Sequence, residues 1–432
     1  MTRSFAYREA EGRIRAPASK SSMQRAVACA LLARGESVLR SPSRSADCVA
    51  ALGVARALGA GVEDRGDSIL VRGLPELEAL GPGAGAPLSL SCGESGLCIR
   101  MFSPIAALFA RETLLGAEGT LRSRSVEMIA PPLVELGAEC SVGGSGLPPV
   151  RVRGPLRGGV AKVDGRASSQ LLTGLLIALP LAEGDSTLEV EALASRGYVD
   201  LTLDTMRAFG VEASRGRGYG RFDIRGGRRY RAADFPVEGD WSGAAFLLVA
   251  GALAALKGPL AVEGLDARSS QPDRAILEAL RLAGAEVEVR PGEIRVMRND
   301  LRAFEFDAAD CPDLFPPLVA LALACEGETR LRGAARLRGK ESDRAAALSE
   351  EFASLGAEIE VEGDLMLVRG GRGRKPGACL AGGRVDSRND HRIAMAAAVA
   401  SLACDGPVEI EGAECVAKSW PTFFEDLAAI AR

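Results

Sequence analysis

Apolar and polar residues follow a pattern that repeats along the chain at a nearly constant interval. A helical stretch, a glycine with a small residue, and an alternating strand recur around Gly59, Gly137, Gly210, Gly284 and Gly356, at intervals of 72–78 residues. Glycine fits the left-handed conformation that ends many helices, and the alternation after it is typical of a half-buried strand. Each copy leads to a second strand, so the pattern predicts repeated units of helices and strands.

A second feature has the same period: a polar cluster lies directly before a long apolar helix. The clusters include Ser21, Ser95, Ser169, Ser242, Asp313 and His391, at intervals of 71–78 residues. The helices that follow are apolar on most faces, which predicts that they are buried. Each polar start taken singly is expected to cap its helix. Taken together, six helix N-termini also provide N–H donors and partial positive charge for phosphate or carboxylate groups.

Composition narrows the class of protein and of partner. Apolar residues make up 47 %, charged residues 25 % and aromatic residues 4 %, with a net charge of −4. This predicts a globular protein without the basic surface or stacking side chains that nucleic acids require. The ten cysteines form no C-x-x-C pair and His391 is the only histidine, so we expect no metal site.

Two observations bear on membranes and location. The longest apolar run, Ala244–Leu256, is shorter than a bilayer crossing. The N-terminal segment MTRSFAYREAEGR has no apolar signal-peptide core. We therefore expect a cytoplasmic protein that does not bind membranes.

Side chains suited to anion binding are concentrated at the predicted helix starts. Lys20 and Ser21 begin one helix, and Arg25 lies on the same face as Ser21, four residues later. An ammonium, a hydroxyl and a guanidinium together suit a phosphorylated ligand. Further candidates at such starts are Gly96, Arg124, Ser168, Ser169, Gln170, Ser195, Asp313, Lys340, Glu341, Arg344, Arg392 and Lys418.

Six motifs, in order, resemble those of the 5-enolpyruvylshikimate-3-phosphate synthase family of enolpyruvyl transferases: SKSSMQRA, DGRASSQLLTGLL, SRGYVDLTLDTM, GKESDR, SRNDHRIAMA and AKSWPTFFEDL. The resemblance covers nearly the full length. It implies an α/β fold, a two-domain inside-out α/β barrel of six βαβαββ repeats, three per domain, with buried parallel helices. One domain would comprise residues 1–18 and 238–432 and the other residues 19–237, with hinges near 18 and 237 that close the domains over the substrates.

The resemblance also implies a reaction and its residues. The enolpyruvyl group of phosphoenolpyruvate would pass to the 5-hydroxyl of shikimate 3-phosphate by addition and elimination of phosphate, through a tetrahedral intermediate and without a cofactor. Shikimate 3-phosphate would be bound by Lys20, Ser21, Arg25, Ser168, Ser169, Gln170, Ser195, Asp313 and Lys340. Phosphoenolpyruvate would be bound by Lys20, Gly96, Arg124, Gln170, Arg344, Arg392 and Lys418. Asp313 would act as base, Glu341 would protonate the methylene, and Lys20 would be a further catalytic participant.

Four positions depart from the family pattern. Glu94 stands where Asn is usual, Leu97 where Thr is usual, Arg336 replaces Asn or Glu, and Ser125 replaces the proline after Arg124. A carboxylate at position 94 would weaken an anion site unless it has a partner.

Three alternatives stay open from the sequence: a UDP-N-acetylglucosamine enolpyruvyl transferase of the same fold, a non-catalytic binding protein, and a structural protein built from the six repeats. We expect a monomer in each enzymatic case.

Overall fold

The computed structural model describes residues 1–75, 86–166, 168–371 and 380–432. Its α-helices are α1 Lys20–Leu32, α2 Ala46–Ala57, α3 Gly96–Ala106, α4 Ala130–Glu135, α5 Gln170–Ala178, α6 Arg196–Ala208, α7 Trp241–Ala254, α8 Ile276–Leu282, α9 Phe315–Ala324, α10 Arg344–Ala353, α11 His391–Ala400 and α12 Phe423–Ile430.

The strands alternate with these helices. They are β1 Thr2–Phe5, β2 Arg13–Arg15, β3 Ala33–Arg34, β4 Glu36–Arg40, β5 Gly61–Asp64, β6 Ser68–Arg72, β7 Leu88–Ser91, β8 Thr113–Gly116, β9 Glu139–Val142, β10 Val150–Arg153, β11 Gly159–Asp164, β12 Ser186–Glu191, β13 Ser214–Arg215, β14 Arg221–Ile224, β15 Tyr230–Arg231, β16 Asp234–Pro236, β17 Leu260–Glu263, β18 Glu286–Arg290, β19 Glu293–Met297, β20 Glu305–Asp307, β21 Gly327–Arg332, β22 Glu358–Glu362, β23 Leu365–Gly370, β24 Gly383–Asp386 and β25 Val408–Glu411.

The chain divides into two compact units. One is continuous, Ala18–Val237, and the other is split, Met1–Pro17 with Glu238–Arg432. We call them the continuous unit and the split unit. Each has its own hydrophobic core, formed by residues of that unit.

In the part of the chain that the structure describes, each repeat contributes one sheet; five of these sheets have four strands in the same arrangement, and the sixth, β1-β25-β24, has three of those strands. The sheets are β16-β4-β6-β5, β7-β8-β10-β9 and β11-β12-β14-β13 in the continuous unit, and β18-β19-β17-β2, β20-β21-β23-β22 and β1-β25-β24 in the split unit. In the β7-β8-β10-β9 sheet, β7 runs parallel to β8 while β10 runs antiparallel to it. The same arrangement holds for β24, β25 and β1. The predicted α/β class and βαβαββ repeats are confirmed, although β16, β2 and β1 reach their sheets from distant parts of the chain.

The first helix of each repeat is buried, as its apolar sequence predicts. Every residue of α3 and of α11 is buried, whereas α2 and α12 keep one exposed face. The first helices of the repeats therefore form the interior of each unit, and the second helices cover that interior. The five repeat glycines, Gly59, Gly137, Gly210, Gly284 and Gly356, have φ between 80° and 102°, which confirms the predicted left-handed helix ends.

None of the helices in the described ranges combines the length and the apolar character that a membrane crossing requires.

Candidate anion-binding site

Lys20 is the first residue of α1, in the continuous unit. The Ser19 hydroxyl caps this helix by accepting the Ser22 N–H at 3.2 Å. Lys20 Nζ lies 2.9 Å from Asp47 Oδ2, and both side chains are largely buried. The ion pair holds the ammonium group at the helix start, where anions are favoured. Asp47 was not predicted, although its place in the first turn of α2, after a capping Ser45, was a usable signal.

Arg25 lies one turn further along α1 and is only 2 % exposed. Its Nε donates to Thr202 Oγ1 at 2.9 Å, and its Nη2 donates to Thr173 Oγ1 at 3.2 Å. Burial lowers the pKa of Arg25 to about 10. A third bond, from Nη1 to the Ser21 carbonyl oxygen at 2.8 Å, links the two residues that the sequence placed on one face. Arg25 thus links α1 to α5 and α6 and fixes the relative positions of the three helix starts.

Two arginines meet at Gly96, the first residue of α3. A β-carbon placed on Gly96 would lie 2.7 Å from Arg100 Nη1 and 3.0 Å from Arg124 Nη1. Arg100 also donates to Gln170 Oε1 at 3.0 Å and to the Ser125 carbonyl oxygen at 2.6 Å. We call Gly96, Arg100, Arg124 and Gln170 the Arg124 cluster. Arg100 was not among the predicted ligands, although its position one turn after Gly96 was visible.

The starts of α5 and α6 carry the predicted serines. The Ser168 hydroxyl accepts the Gln170 N–H at 3.1 Å, while Ser169 makes no side-chain cap bond. Ser169 and Ser195 are both buried. Ser195 has φ +57°, a left-handed conformation that non-glycine residues adopt rarely and mostly at functional or tightly constrained positions. The start of α5 lies beside α3, because Gln170 Oε1 accepts a hydrogen bond from Arg100. The start of α3 in turn lies beside α1, because the Ser95 hydroxyl donates to Gln24 Oε1 at 3.0 Å.

Arg344 is the centre of a second cluster, in the split unit. Its side chain is 1 % exposed, and it donates from Nη1 to Asp313 Oδ1 at 2.7 Å. It also donates to Glu341 through Nη2 and to Asp390 Oδ2 through Nε at 2.7 Å. Burial lowers the pKa of Arg344, but Asp390, Glu341 and Asp313 raise it further, so the net shift is upward.

The remaining predicted cations of the split unit lie around Asp313 and Asp390. Arg392 Nη2 lies 3.1 Å from Asp313 Oδ2, and Lys340 Nζ lies 3.4 Å from Asp313 Oδ1. Burial lowers the pKa of Lys340, and the Asp313 carboxylate opposes this shift. We call Asp313, Lys340, Glu341, Arg344, Asp390 and Arg392 the Arg344 cluster.

Lys418 lies beside this cluster. Its Nζ donates to the Asn389 carbonyl oxygen at 2.7 Å, next to Asp390 in the chain. Asp390 itself caps α11, since its Oδ1 accepts the Arg392 N–H at 3.0 Å. Asp390 was not among the predicted site residues, although it lies directly before His391 in the polar cluster that precedes α11.

The predicted residues therefore fall into two groups. Lys20, Ser21, Arg25, Gly96, Arg124, Ser168, Ser169, Gln170 and Ser195 lie in the continuous unit, and Asp313, Lys340, Glu341, Arg344, Arg392 and Lys418 lie in the split unit. The prediction that Arg124 begins a helix is wrong, because Arg124 directly follows the 3₁₀ helix Gly119–Ser123. Within the described ranges, no three His, Cys, Asp or Glu side chains are placed to hold a metal ion. Both groups contain cations suited to anionic substrates, and the split-unit group also contains the carboxylates of Asp313 and Glu341, which are suited to proton transfer.

A family model described as EPSP synthase (3-phosphoshikimate 1-carboxyvinyltransferase) matches residues 6–427 of this chain. The chain belongs to the EPSP synthase family. A 3-phosphoshikimate 1-carboxyvinyltransferase of Aeropyrum pernix is 42 % identical over 422 residues, 97 % of this chain and 93 % of the relative. Another, of Clostridium kluyveri, is 38 % identical over 425 residues, 97 % of this chain and 95 % of the relative.

Comparison with solved structures indicates the same family. An EPSP synthase from Acinetobacter baumannii superposes with a TM-score of 0.80 at 27 % identity, covering 100 % of this chain and 98 % of the other. The predicted family, and its activity as a 3-phosphoshikimate 1-carboxyvinyltransferase of the shikimate pathway, are confirmed.

Proposed function

We propose that the Arg124 and Arg344 clusters, with Lys20, carry the transfer of the carboxyvinyl group from phosphoenolpyruvate to the 5-hydroxyl of shikimate 3-phosphate. The observation that carries this proposal is Arg344, one buried guanidinium that binds Asp313, Glu341 and Asp390 together. It combines an anion-binding cation with two carboxylates suited to opposite proton transfers.

The substrates bring two phosphates and two carboxylates, so several cations must bind them. The phosphoenolpyruvate ligands we propose are Lys20, Gly96, Arg124, Gln170, Arg344, Arg392 and Lys418. The shikimate 3-phosphate ligands we propose are Lys20, Ser21, Arg25, Ser168, Ser169, Gln170, Ser195, Asp313 and Lys340. Arg25 donates to the oxygens of Thr202, Ser21 and Thr173, so part of its contribution is to fix the helix starts that hold the substrate.

Substrate binding changes the partners of the two carboxylates. Asp313 and Glu341 accept hydrogen bonds from N–H donors of Arg344. An anionic group of phosphoenolpyruvate competes for the same donors, because a guanidinium binds phosphate and carboxylate in the same forked geometry. Exchange of this kind releases both carboxylates for proton transfer at the moment the substrate is in place.

The reaction then proceeds in two balanced steps. Asp313, as the carboxylate, takes the proton of the 5-hydroxyl, and the oxygen bonds to C2 of phosphoenolpyruvate. Glu341, which takes up a proton when it leaves Arg344, gives that proton to C3 as the carboxylic acid. The tetrahedral adduct next loses a C3 proton to Glu341, and the C2–O bond to phosphate breaks. Lys20, held at a helix start by Asp47, gives a proton to the departing phosphate. Asp313 then loses the hydroxyl proton to solvent and Lys20 regains one from solvent, so both residues return to their starting forms.

Hinges near residues 18 and 237 form part of the proposal, because the proposed ligands belong to both units. Closure over the substrates removes water and strengthens the electrostatic interactions. A smaller radius of gyration in X-ray scattering with both substrates supports the hinges, and an unchanged radius contradicts them. A monomeric state and a cytoplasmic location are also proposed; light scattering and cell fractionation test them.

The test of the reaction is phosphate release by the purified protein. Release that requires both shikimate 3-phosphate and phosphoenolpyruvate supports the proposal. Release with UDP-N-acetylglucosamine instead of shikimate 3-phosphate would assign the sister reaction, and no release with either acceptor would indicate a binding protein. Asp313→Asn should abolish most of the release, whereas Asp343→Asn, an exposed cap of α10, is the matched control.

A further inference from the structure

Glu94 lies two residues before Gly96, the first residue of α3. Its side chain binds Thr120, which is also in the continuous unit. Its Oε2 accepts the Thr120 N–H at 2.9 Å and the Thr120 hydroxyl at 3.0 Å. Two donors from one residue thus fix the carboxylate. A carboxylate bound to N–H and O–H donors forms charge-assisted bonds, which are stronger than neutral ones.

Thr120 belongs to a short 3₁₀ helix, Gly119–Ser123, that leads directly into Arg124. The chain after Arg124 is held by Arg100, whose Nη2 donates to the Ser125 carbonyl oxygen at 2.6 Å. Glu94 and Arg100 therefore hold the two sides of the segment that carries Arg124. The first N–H groups of a helix have no partner within the helix, and here the Glu94 carboxylate accepts the one of Thr120.

Gly119 provides the space that Glu94 occupies. Gly119 has φ +45°, and a β-carbon there would lie 2.2 Å from Glu94 Cδ and 2.4 Å from Oε2. Any larger residue would displace the carboxylate from Thr120. Gly119 and Glu94 thus form a matched pair: one residue supplies the acceptor and the other the room for it.

We propose that Glu94 is a positioning residue that sets the place of Arg124, and through it the affinity for phosphoenolpyruvate. The proposal rests on the proposed function, in which Arg124 binds this substrate. It accounts for a carboxylate beside an anion site, because the Glu94 charge is directed to the Thr120 donors. Glu94 itself contacts no reacting atom.

The first test compares steady-state constants of Glu94→Ala and Glu94→Gln with those of the wild-type enzyme. Glu94→Ala removes the acceptor, so the KM for phosphoenolpyruvate should rise roughly tenfold or more, the effect of losing one charged hydrogen-bond partner. The kcat and the KM for shikimate 3-phosphate should stay within about twofold. Glu94→Gln keeps an acceptor oxygen at the same reach and should restore most of the affinity.

Glu118→Ala is the matched control. Glu118 lies directly before the same 3₁₀ helix, makes no side-chain cap bond there, and accepts a hydrogen bond from Ser91 Oγ at 2.6 Å. Its removal should leave the KM for phosphoenolpyruvate unchanged. An equal rise for Glu118→Ala and Glu94→Ala would reduce the effect to general disturbance of the loop and overturn the proposal.

A double-mutant cycle tests the pairing with Gly119. Gly119→Ala alone should raise the KM for phosphoenolpyruvate, because its β-carbon collides with the carboxylate. In a Glu94→Ala background the same substitution should add less than it does alone, since the collision is gone. The role of Glu94 would be overturned if the effects of the two substitutions on the KM were fully additive. It would also be overturned if Glu94→Ala left the KM for phosphoenolpyruvate unchanged, or if Glu94→Gln raised it as much as Glu94→Ala. A wild-type protein that transfers no carboxyvinyl group would refute the proposed function instead.

Discussion

Loss of Asp390 should destabilise the split unit strongly, because this residue binds a buried arginine. Asp390 is fully buried, and Arg344 is 1 % exposed. Asp390→Ala removes the acceptor of Arg344 Nε at 2.7 Å and of Ser342 Oγ at 3.0 Å. It also removes the cap of α11, whose Arg392 N–H bonds to Asp390 Oδ1.

The expected magnitude follows from these contacts. Removing one partner of a buried ion pair costs about 3–5 kcal/mol, and losing a helix cap costs about 1 kcal/mol. Arg344 keeps Asp313 and Glu341 as partners, so the lower end of the first range applies. The free energy of unfolding of the split unit should therefore fall by about 4 kcal/mol.

Urea unfolding, monitored by tryptophan fluorescence, measures the free energy of unfolding of the split unit. The chain has two tryptophans. Trp241 and Trp420 are both buried in the split unit, so the signal reports on the core that contains Asp390.

Asp343→Ala is the matched control, because Asp343 caps α10 beside Arg344 and is exposed. It should cost only about 1 kcal/mol. Equal losses for Asp390→Ala and Asp343→Ala would refute the reasoning, since they would reduce Asp390 to a helix cap.

Three further predictions concern the substrate site and the thiols. Gly96→Ala should raise the KM for phosphoenolpyruvate roughly tenfold, because its β-carbon would lie 2.7 Å from Arg100 Nη1 and 3.0 Å from Arg124 Nη1; an unchanged KM would show that these guanidinium groups do not set the affinity. Glu341→Gln should lower kcat by roughly 10²–10⁴-fold while calorimetry shows shikimate 3-phosphate binding preserved; unchanged turnover would remove Glu341 from the mechanism. Partial burial raises the pKa of Cys140 to about 12, so only roughly 10⁻⁴ of this thiol is ionised at pH 8. Peptide mapping after a short iodoacetamide treatment should find Cys140 alkylated far more slowly in the native enzyme than in the urea-unfolded enzyme, and equal rates would contradict the raised pKa.

The repeat architecture was predictable because it depends on local patterns. A glycine with positive φ after each second helix, as at Gly137 and Gly284, is dictated by sterics at a single position. The burial of α3 and α11 follows from their apolar sequences alone. Which distant strand completes a sheet was not predictable, because β16 pairs with β4 across nearly the whole continuous unit.

The clusters were only partly predictable, because their partners come from distant positions. Arg25 bonds to Thr173 and Thr202, which lie 148 and 177 residues away. Periodicity can place Arg25 on one face of a helix, but it cannot identify what packs against that face. Likewise, the sequence shows Asp390 and Arg344 as charged residues near two different helix starts, 46 residues apart. Their ion pair could not be predicted, because it depends on how the two helices pack.

Phosphorus-31 NMR of one reaction mixture tests the central claim most directly, because each substrate carries one phosphorus atom. With purified protein, shikimate 3-phosphate and phosphoenolpyruvate, the phosphoenolpyruvate resonance should disappear while inorganic phosphate grows in equal amount. The shikimate 3-phosphate resonance should move to a new position, since its phosphate is kept on a ring that now carries an enol ether at C5. An unchanged phosphoenolpyruvate resonance, or phosphate release with the shikimate 3-phosphate resonance unmoved, would contradict carboxyvinyl transfer by this chain.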